Sequence, residues 1–395
     1  MTNGMSNNPM PNSREAAAPE RGARDDRLVV IKPHCFDAER TARLNDVLAA
    51  GLAGHDYVLL EEDEEIDRAD LRRRRILFAI SLGASGINLE FYALLKKIRT
   101  SPHLLDGSVG AILVDGSSEF FTKSVARELV FSANMAGCAF PGRPLVEGTR
   151  TLKNYNIIAS LLGTDNLEAY RRSCRDLVER LLSFSEPVHR RPNLLALHAG
   201  SHATSNTLTL WHMVQRHLEA DVTEISLRNG EVWDCRGCSY EACLHMGEQS
   251  RCFYGGVITH DVYPNILQCD GLVMICPNYN DAISANLTAF VNRLTAIFRV
   301  HRFFEKRLYA VIVSGYSGSD LIAEQLISGL NMNKTFLLPP RFAIMKTAND
   351  PHAVAAIPGI EEEAAAFGRR IMEDFRGRAT PWLSEAPASS PQTER

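Results

Sequence analysis

The stretch LLALHAGSHATSNTLTLWHMV, residues 194–214, contains a strand, a turn and a helix in direct succession. A continuous apolar run ends at Gly200, and a helix with apolar periodicity follows the turn. Five small hydroxyl or amide residues lie within seven positions of the turn: Ser201, Thr204, Ser205, Asn206 and Thr207. At a helix N-terminus such residues leave backbone N–H groups free to converge on an anion, whereas a helix cap alone needs one of them. We therefore predict that this turn binds a phosphate group.

The same alternation of short apolar runs and longer helical patterns recurs along the whole chain, which indicates βαβ units and parallel sheets. We predict strands at 28–33, 57–62, 76–83, 109–116 and 138–146, and again at 193–200, 222–230, 271–277, 308–315 and 335–340. Helices are predicted at 38–53, 88–98, 120–135, 166–184, 207–218, 285–298, 320–330 and 361–375. Five strands in each half predict an α/β protein of two tandem flavodoxin-like three-layer domains, each with a five-stranded parallel sheet.

The length of 395 residues agrees with two domains. We expect a disordered leader at 1–26, a first domain at 27–186, a linker at 187–192, a second domain at 193–377 and a disordered tail at 378–395. A net charge of −4 predicts no nucleic-acid partner, and no apolar run is long enough to span a membrane. Nine scattered cysteines without an export signal favour a reducing, cytoplasmic location.

A second turn follows the third strand of the second half. The strand at 271–277 ends in Pro277, Asn278, Tyr279 and Asn280, and Ser284 precedes an amphipathic helix with Phe290 and Arg293. Together with the hydroxyl-rich turn, this pattern resembles the NADPH-dependent FMN reductase family over about residues 193–377. The resemblance implies that the proline–tyrosine turn lies along the flavin ring. It also implies that a glycine-bearing turn, here Gly315 and Tyr316, lies beside the flavin.

The resemblance implies an FMN-dependent NAD(P)H oxidoreductase that passes electrons from a nicotinamide to a quinone, a flavin or another small acceptor. No side chain is assigned a catalytic role, because the flavin carries the chemistry. The alternative from another class is a flavodoxin-like electron carrier or binding module without turnover. Reductases of this type usually form dimers, which implies a homodimer or a first domain that imitates a partner subunit.

Four of the cysteines lie in DCRGCSYEACLHMGEQSRC, residues 234–252: Cys235, Cys238, Cys243 and Cys252. The related iron–sulfur flavoproteins hold a [4Fe–4S] cluster in the matching crossover, and four thiolates are the usual ligands of such a cluster. Four cysteines are also a ligand set for structural zinc. Here the gaps are longer than in those relatives, and we favour thiols without a metal. Cys269 and Cys276 are predicted core residues.

The first half does not repeat these signals. Its first strand ends in KPHCFDAERTARL, which lacks a glycine and a hydroxyl cluster, and Asp37 and Glu39 have the wrong charge for a phosphate. The turn after its third predicted strand, 76–83, contains no proline–tyrosine pair. We predict a degenerate flavodoxin-like domain without FMN.

Overall fold

The computed structural model describes residues 27–377 apart from residues 36, 37 and 84. The predicted leader, the predicted tail and Asp37 lie outside the described residues. In the first domain the strands are β1 Leu28–Ile31, β2 Tyr57–Leu60, β3 Arg75–Ser81, β4 Val109–Asp115 and β5 Leu145–Gly148. The α-helices are α1 Ala38–Leu52, α2 Asp63–Arg68, α3 Leu89–Thr100, α4 Thr122–Met135, α5 Asn156–Leu162 and α6 Asn166–Ser183.

The second domain repeats the arrangement. Its strands are β6 Asn193–His198, β7 Asp221–Ser226, β8 Gly271–Pro277, β9 Arg307–Ser314 and β10 Ala343–Thr347. Its α-helices are α7 Asn206–Gln215, α8 Tyr240–Glu248, α9 Tyr263–Gln268, α10 Ala285–Arg293, α11 Thr295–Phe298, α12 Ser319–Leu326 and α13 Ile360–Arg376. Short π-helical segments adjoin α9 and α12 at Ile258–Val262 and Ile327–Met332, and single 3₁₀ turns occur at Lys153–Tyr155 and Ala353–Ala356.

Both sheets have five strands, and every named strand pair in them is parallel. The orders are β2-β1-β3-β4-β5 and β7-β6-β8-β9-β10, which is the flavodoxin-like order 2-1-3-4-5 twice. In β1, Val29 and Ile31 join the core on one face of the sheet, while Leu28 and Val30 join the core on the other. Such alternation is dictated by the strand period of two, and it places helices on both faces. The predicted fold class is confirmed.

Two predicted strands are in the wrong place. The fifth strand of the second sheet is Ala343–Thr347, not 335–340, and the fifth strand of the first sheet is Leu145–Gly148, at the end of the predicted segment 138–146. Both predicted segments are apolar but contain proline, which cannot donate to a sheet ladder. They form isolated bridges instead, and the chain enters the sheet only after the prolines.

These two segments meet each other at the boundary between the domains. Phe140 N–H donates to the Leu338 carbonyl at 2.9 Å, and Leu338 N–H donates to the Phe140 carbonyl at 2.9 Å. A few residues further on, Arg143 N–H donates to the Asn331 carbonyl at 3.0 Å and Arg341 N–H donates to the Asn134 carbonyl at 3.0 Å. Equivalent parts of the two domains therefore contact each other reciprocally, as the two copies in a two-fold dimer interface do.

Two buried asparagines hold this boundary together. The side-chain amides of Asn134 and Asn331 are both fully buried, and each donates to carbonyl oxygens of its own domain and of the other domain. The acceptors are Cys138 and Pro339 for Asn134, and Phe336, Phe140 and Pro141 for Asn331. One continuous apolar core includes buried side chains of both domains. Among the described helices, none is long and apolar enough to cross a bilayer.

Candidate functional site

A pocket of about 410 Å³ opens at the carboxyl ends of the strands in the second domain. In open α/β sheets this edge is where ligands bind, and the volume lies in the range of small-molecule sites. Nine of the twelve predicted cofactor contacts line it: Ser201, Thr204, Ser205, Asn206, Thr207, Pro277, Asn278, Tyr279 and Gly315. The hydroxyl-rich turn and the proline–tyrosine turn therefore converge on one cavity.

The hydroxyl-rich turn is organised around the start of α7. Ser205 is the N-cap residue, and its Oγ accepts a hydrogen bond from Leu208 N–H at 3.2 Å. The same Oγ lies 2.8 Å from Thr207 Oγ1. One residue of the turn, Ser205, therefore caps the helix, as the sequence predicts that one of them would. Ser201 and Thr204 are left to face the pocket beside the start of α7, where the first N–H groups of a helix have no partner within the helix.

Asn206 has a structural role that the sequence did not indicate. Its amide nitrogen donates to the carbonyl oxygens of Ala348 at 3.1 Å and Asp350 at 2.8 Å, and its Oδ1 accepts from Val354 N–H at 3.0 Å. These three bonds fasten the segment after β10 to the start of α7. Asn206 therefore shapes one wall of the pocket through the segment that it holds.

The proline–tyrosine turn is a tight reversal. Tyr279 N–H donates to the Ala282 carbonyl at 3.4 Å and Ala282 N–H donates back at 3.2 Å. Asn280 and Asp281 at its centre have φ values of 53° and 58°, as a type I′ turn requires. The Asn278 side chain closes the turn by accepting from Asp281 N–H at 2.8 Å. Tyr279 is left 57% exposed, with its ring free at the pocket.

Glycine is required where the turn after β9 approaches the proline–tyrosine turn after β8. Gly318 has a φ of 88°, and a Cβ atom there would lie 2.4 Å from Asp281 Oδ1 and 2.8 Å from Asn278 Nδ2. A Cβ on Gly315 would lie 2.9 Å from Asn349 Oδ1. The backbone after β9 can therefore pack closely against the turn after β8 and the segment after β10.

Three predicted contacts are not among the residues that line the pocket. Asn280 is at the apex of its turn, Tyr316 is 80% exposed, and Ser284 precedes α10 with its Oγ buried and without a hydrogen-bond partner. Conversely, Arg228 and Asn349 line the pocket and were missed. Arg228 follows the carboxyl end of β7, and this position in the sequence could have indicated a place at the ligand-binding edge of the sheet. Asn349 was hidden because the strand before it was misplaced.

The four crossover cysteines, Cys235, Cys238, Cys243 and Cys252, line a second, smaller cavity of about 150 Å³. Arg236, Arg293 and Arg299 also line it. Arg293 is buried and donates to the Gly255 carbonyl at 2.7 Å and to Thr259 Oγ1 at 2.8 Å. The crossover thus brings the four thiols to one place among guanidinium groups.

The cysteine sulfurs are not spaced as in a closed zinc site. Within the described part of the chain, no three of them lie within 4.8 Å of one another, whereas tetrahedral zinc with a Zn–S bond near 2.3 Å separates its sulfurs by about 3.8 Å. Cys269 and Cys276 are buried in the core as predicted. Burial raises the pKa of Cys269 to about 12 and raises that of Cys276 still further, so both are inert thiols.

The pocket lies within a segment that matches a known family. Residues 192–350 match the model of the NADPH-dependent FMN reductase family, which confirms the resemblance for the second domain. No curated protein matches the chain.

Similar solved structures include an azoreductase from Bacillus anthracis (10% identity, 47% of this chain and 99% of that chain, TM-score 0.32). An NAD(P)H:quinone oxidoreductase from Methanothermobacter marburgensis has 15% identity over 48% of this chain and 98% of that chain, with a TM-score of 0.32. The Trp repressor binding protein from Bacillus subtilis has 17% identity over 44% and 98%, with a TM-score of 0.31.

Proposed function

We propose that the protein is an FMN-dependent NAD(P)H oxidoreductase whose flavin binds in the second domain and whose acceptor is a quinone, a flavin or another small molecule. One observation carries the proposal: within the segment that matches the FMN reductase family, the two predicted turns line the same pocket of about 410 Å³. FMN, when bound, accepts a hydride from the nicotinamide and passes electrons on to the acceptor.

The residues present fit FMN. Its phosphate would lie against Ser201 and Thr204 at the N-terminus of α7, where hydroxyl groups, backbone N–H groups and the helix dipole favour an anion. Arg228 adds a positive charge at the same pocket. The exposed ring of Tyr279 and the rigid turn around it provide a flat wall for a flat ring.

The chain itself contributes position and shape. Asn206 fixes the segment after β10, Asn278 fixes the turn after β8, and Gly315 lets the backbone after β9 approach Asn349. Because hydrogen bonds within the second domain hold two of these walls, we infer that the pocket is formed before a ligand enters, which lowers the entropic cost of binding.

FMN titration of the purified chain, followed by quenching of flavin fluorescence, tests the proposal. We expect saturable binding, and bleaching of the bound flavin when NADPH or NADH is added. Thr204→Ala should lower FMN affinity at least about tenfold, because a hydrogen bond to a charged group contributes about 1.5–3 kcal/mol. Thr223→Ala, the same change on exposed β7 and outside the pocket lining, is the matched control. A colourless protein that does not bind FMN would contradict the proposal.

A second candidate is a flavodoxin-like electron carrier in which Cys235, Cys238, Cys243 and Cys252 hold a [4Fe–4S] cluster. The convergence of all four thiols on one cavity favours it, and thiolates are the ligands that such clusters require. Iron analysis and absorbance of anaerobically purified protein distinguish the candidates. Iron with a broad band near 400 nm and no bleaching by a nicotinamide supports the carrier. Flavin that bleaches, without iron, supports the reductase alone.

We also propose that the first domain replaces the partner subunit of dimeric reductases. The reciprocal bonds between Phe140 and Leu338 and the paired amides of Asn134 and Asn331 support this proposal. Sedimentation of the intact chain tests it: a monomer is expected, and a dimer would restore the homodimer implied by the family resemblance. The cytoplasmic location, and the absence of nucleic-acid and membrane partners, remain proposals from composition.

A further inference from the structure

A cluster of histidines and one glutamate lies beside the phosphate-binding turn. His198 is the last residue of β6, His202 is in the turn, and Glu224 is on the neighbouring strand β7. One ligand atom from each of the three lies within 4.8 Å of the other two. None of the three lines the proposed flavin pocket, so that pocket does not account for them.

The two carboxylate oxygens of Glu224 have different surroundings. Oε2 accepts a hydrogen bond from Trp211 Nε1 at 2.9 Å and lies 3.3 Å from His212 Nε2. Oε1 faces the other two histidines, at 3.6 Å from His198 Nε2 and 3.9 Å from His202 Nε2. The carboxylate is thus held in orientation through one oxygen and presents the other to His198 and His202.

The spacing around Oε1 suits an ion better than hydrogen bonds. Distances of 3.6 and 3.9 Å exceed the usual 2.7–3.2 Å of an N–H···O bond. Zinc-to-nitrogen and zinc-to-oxygen bonds near 2.0–2.2 Å in a tetrahedron separate neighbouring ligand atoms by about 3.3–3.5 Å. A shift of a few tenths of an ångström would therefore bring each of the two histidine nitrogens to the ligand spacing from Oε1, and all three ligand atoms already lie within 4.8 Å of one another.

His198 supplies a second, independent observation. Its side chain is only 2% exposed, and its Nδ1 is buried without a hydrogen-bond partner. Its Nε2 points at Glu224 from beyond hydrogen-bond distance. A ligand at Nε2 would give this buried ring the strong partner that Glu224, at 3.6 Å, does not provide.

We propose that His198 Nε2, His202 Nε2 and Glu224 Oε1 bind a divalent transition-metal ion of the Zn²⁺ class, with water as the fourth ligand. Imidazole nitrogens with one carboxylate are suited to such ions, and two histidines with one carboxylate form a known open zinc set. Trp211 and His212 orient the carboxylate from behind, as outer partners of metal ligands do.

Titration of the chelator-treated full chain with Co²⁺ tests the site. The exposed thiols Cys235 and Cys238 could also bind metal, so the titration uses a C235S/C238S background. We expect one equivalent of Co²⁺ with visible d–d bands of four-coordinate geometry, displaced by Zn²⁺. Near-ultraviolet thiolate-to-cobalt bands should be absent.

His202→Ala and Glu224→Gln should each weaken binding at least 100-fold. His202 has an exposed side chain and Glu224→Gln is isosteric, so both variants should fold, which circular dichroism checks. His217→Ala, on an exposed histidine just beyond α7, is the matched control and should bind as the background does. The proposed site would be overturned if the background protein did not bind Co²⁺. It would also be overturned if His202→Ala and Glu224→Gln bound Co²⁺ as tightly as the background protein does.

One consequence rests on the proposed function. Because His202 belongs to the turn that carries Ser201 and Thr204, an ion that fixes His202 should also favour the phosphate-binding shape of that turn. We expect Zn²⁺ to raise FMN affinity about fivefold or more, a typical coupling between sites. Metal binding without any effect on FMN would remove the coupling and leave the metal site. Metal binding by a chain that does not bind FMN would instead count against the proposed function alone.

Discussion

The carboxyl edges of the two sheets differ although the sheets have the same strand order. In the first domain β4 ends at Asp115, which is buried and accepts hydrogen bonds from Arg43 Nε at 2.8 Å and Arg43 Nη2 at 2.9 Å. In the second domain the equivalent strand β9 ends at Ser314, and Gly315 after it lines the pocket. One edge is occupied by an ion pair, and the other is open and lined with hydroxyl groups.

This difference teaches that the fold alone does not make a binding site. Burial disfavours the charged Arg43, but the hydrogen bonds and charge of Asp115 outweigh it and raise the pKa of Arg43. The first edge therefore holds fixed opposite charges that satisfy each other. The second edge leaves Ser201, Thr204 and Arg228 available to a ligand.

The largest effect is expected from placing an acidic side chain at the open edge. Ser201→Asp should lower FMN affinity about 1000-fold, since two like unit charges 4 Å apart near a protein surface repel by about 4 kcal/mol. Fluorescence titration measures it. Ser185→Asp, on an exposed position between the domains, changes the net charge equally and should leave the affinity unchanged. Equal losses in both variants would mean that Ser201 is not near the phosphate.

Breaking the Arg43–Asp115 ion pair should destabilise the first domain without changing the affinity of the second domain for FMN. Arg43→Met leaves the buried carboxylate of Asp115 without its guanidinium, and we expect a loss of about 3 kcal/mol in the free energy of unfolding. Urea denaturation followed by circular dichroism measures this loss. Arg191→Met removes an exposed pair with Asp221 and should cost less than about 1 kcal/mol. An Arg43→Met protein with changed FMN affinity would contradict the separation of the two edges.

The boundary between the two domains should be sensitive on both sides. Asn331→Ala removes the side-chain donor from the buried carbonyl groups of Pro141 and Phe336, and Asn134→Ala removes it from those of Cys138 and Pro339. Each pair includes one carbonyl of each domain, and we expect each variant to cost about 2 kcal/mol of stability. The same denaturation assay applies. Asn229→Ala, at an exposed position, is the control. A large loss in only one of the two variants would show that the reciprocal contacts are not energetically equivalent.

The smallest effect concerns pH. Burial works against the ionised carboxylate of Asp106, but hydrogen bonds from Arg341 and His103 outweigh it and hold its pKa below the ordinary value. The Asp106–Arg341 pair between the domains therefore stabilises the folded protein above pH about 3.9, and this stabilisation is lost as the pH falls through the lowered pKa of Asp106. Asp106 is partly exposed, so Asp106→Asn should cost less than about 1 kcal/mol at pH 7.

Urea denaturation at pH 7 and at pH 3 tests this prediction. The difference between wild type and Asp106→Asn should shrink at the lower pH, because the wild-type carboxyl is then increasingly protonated. A difference in stability of the same size at both pH values would mean that the charge of the Asp106 carboxylate does not contribute to its interaction with Arg341.

The sequence by itself determined the tandem α/β architecture and the two turns of the pocket. Apolar runs of strand length and helical periodicity are patterns among residues near one another in the sequence, so most elements were predicted within a few residues. The turns at 200–207 and 277–279 were equally readable, because hydroxyl groups, proline and tyrosine have conformational preferences that act over a few residues.

Only the tertiary structure decided what depends on distant residues meeting. The prolines at 339 and 340 kept an apolar segment out of the sheet and placed it against Phe140, and Asn349 consequently came to the pocket. His198 and Glu224 are 26 positions apart in sequence and meet because β6 and β7 are hydrogen-bonded neighbours. Such contacts follow from strand order and register, which the residues specify only collectively through the packed core.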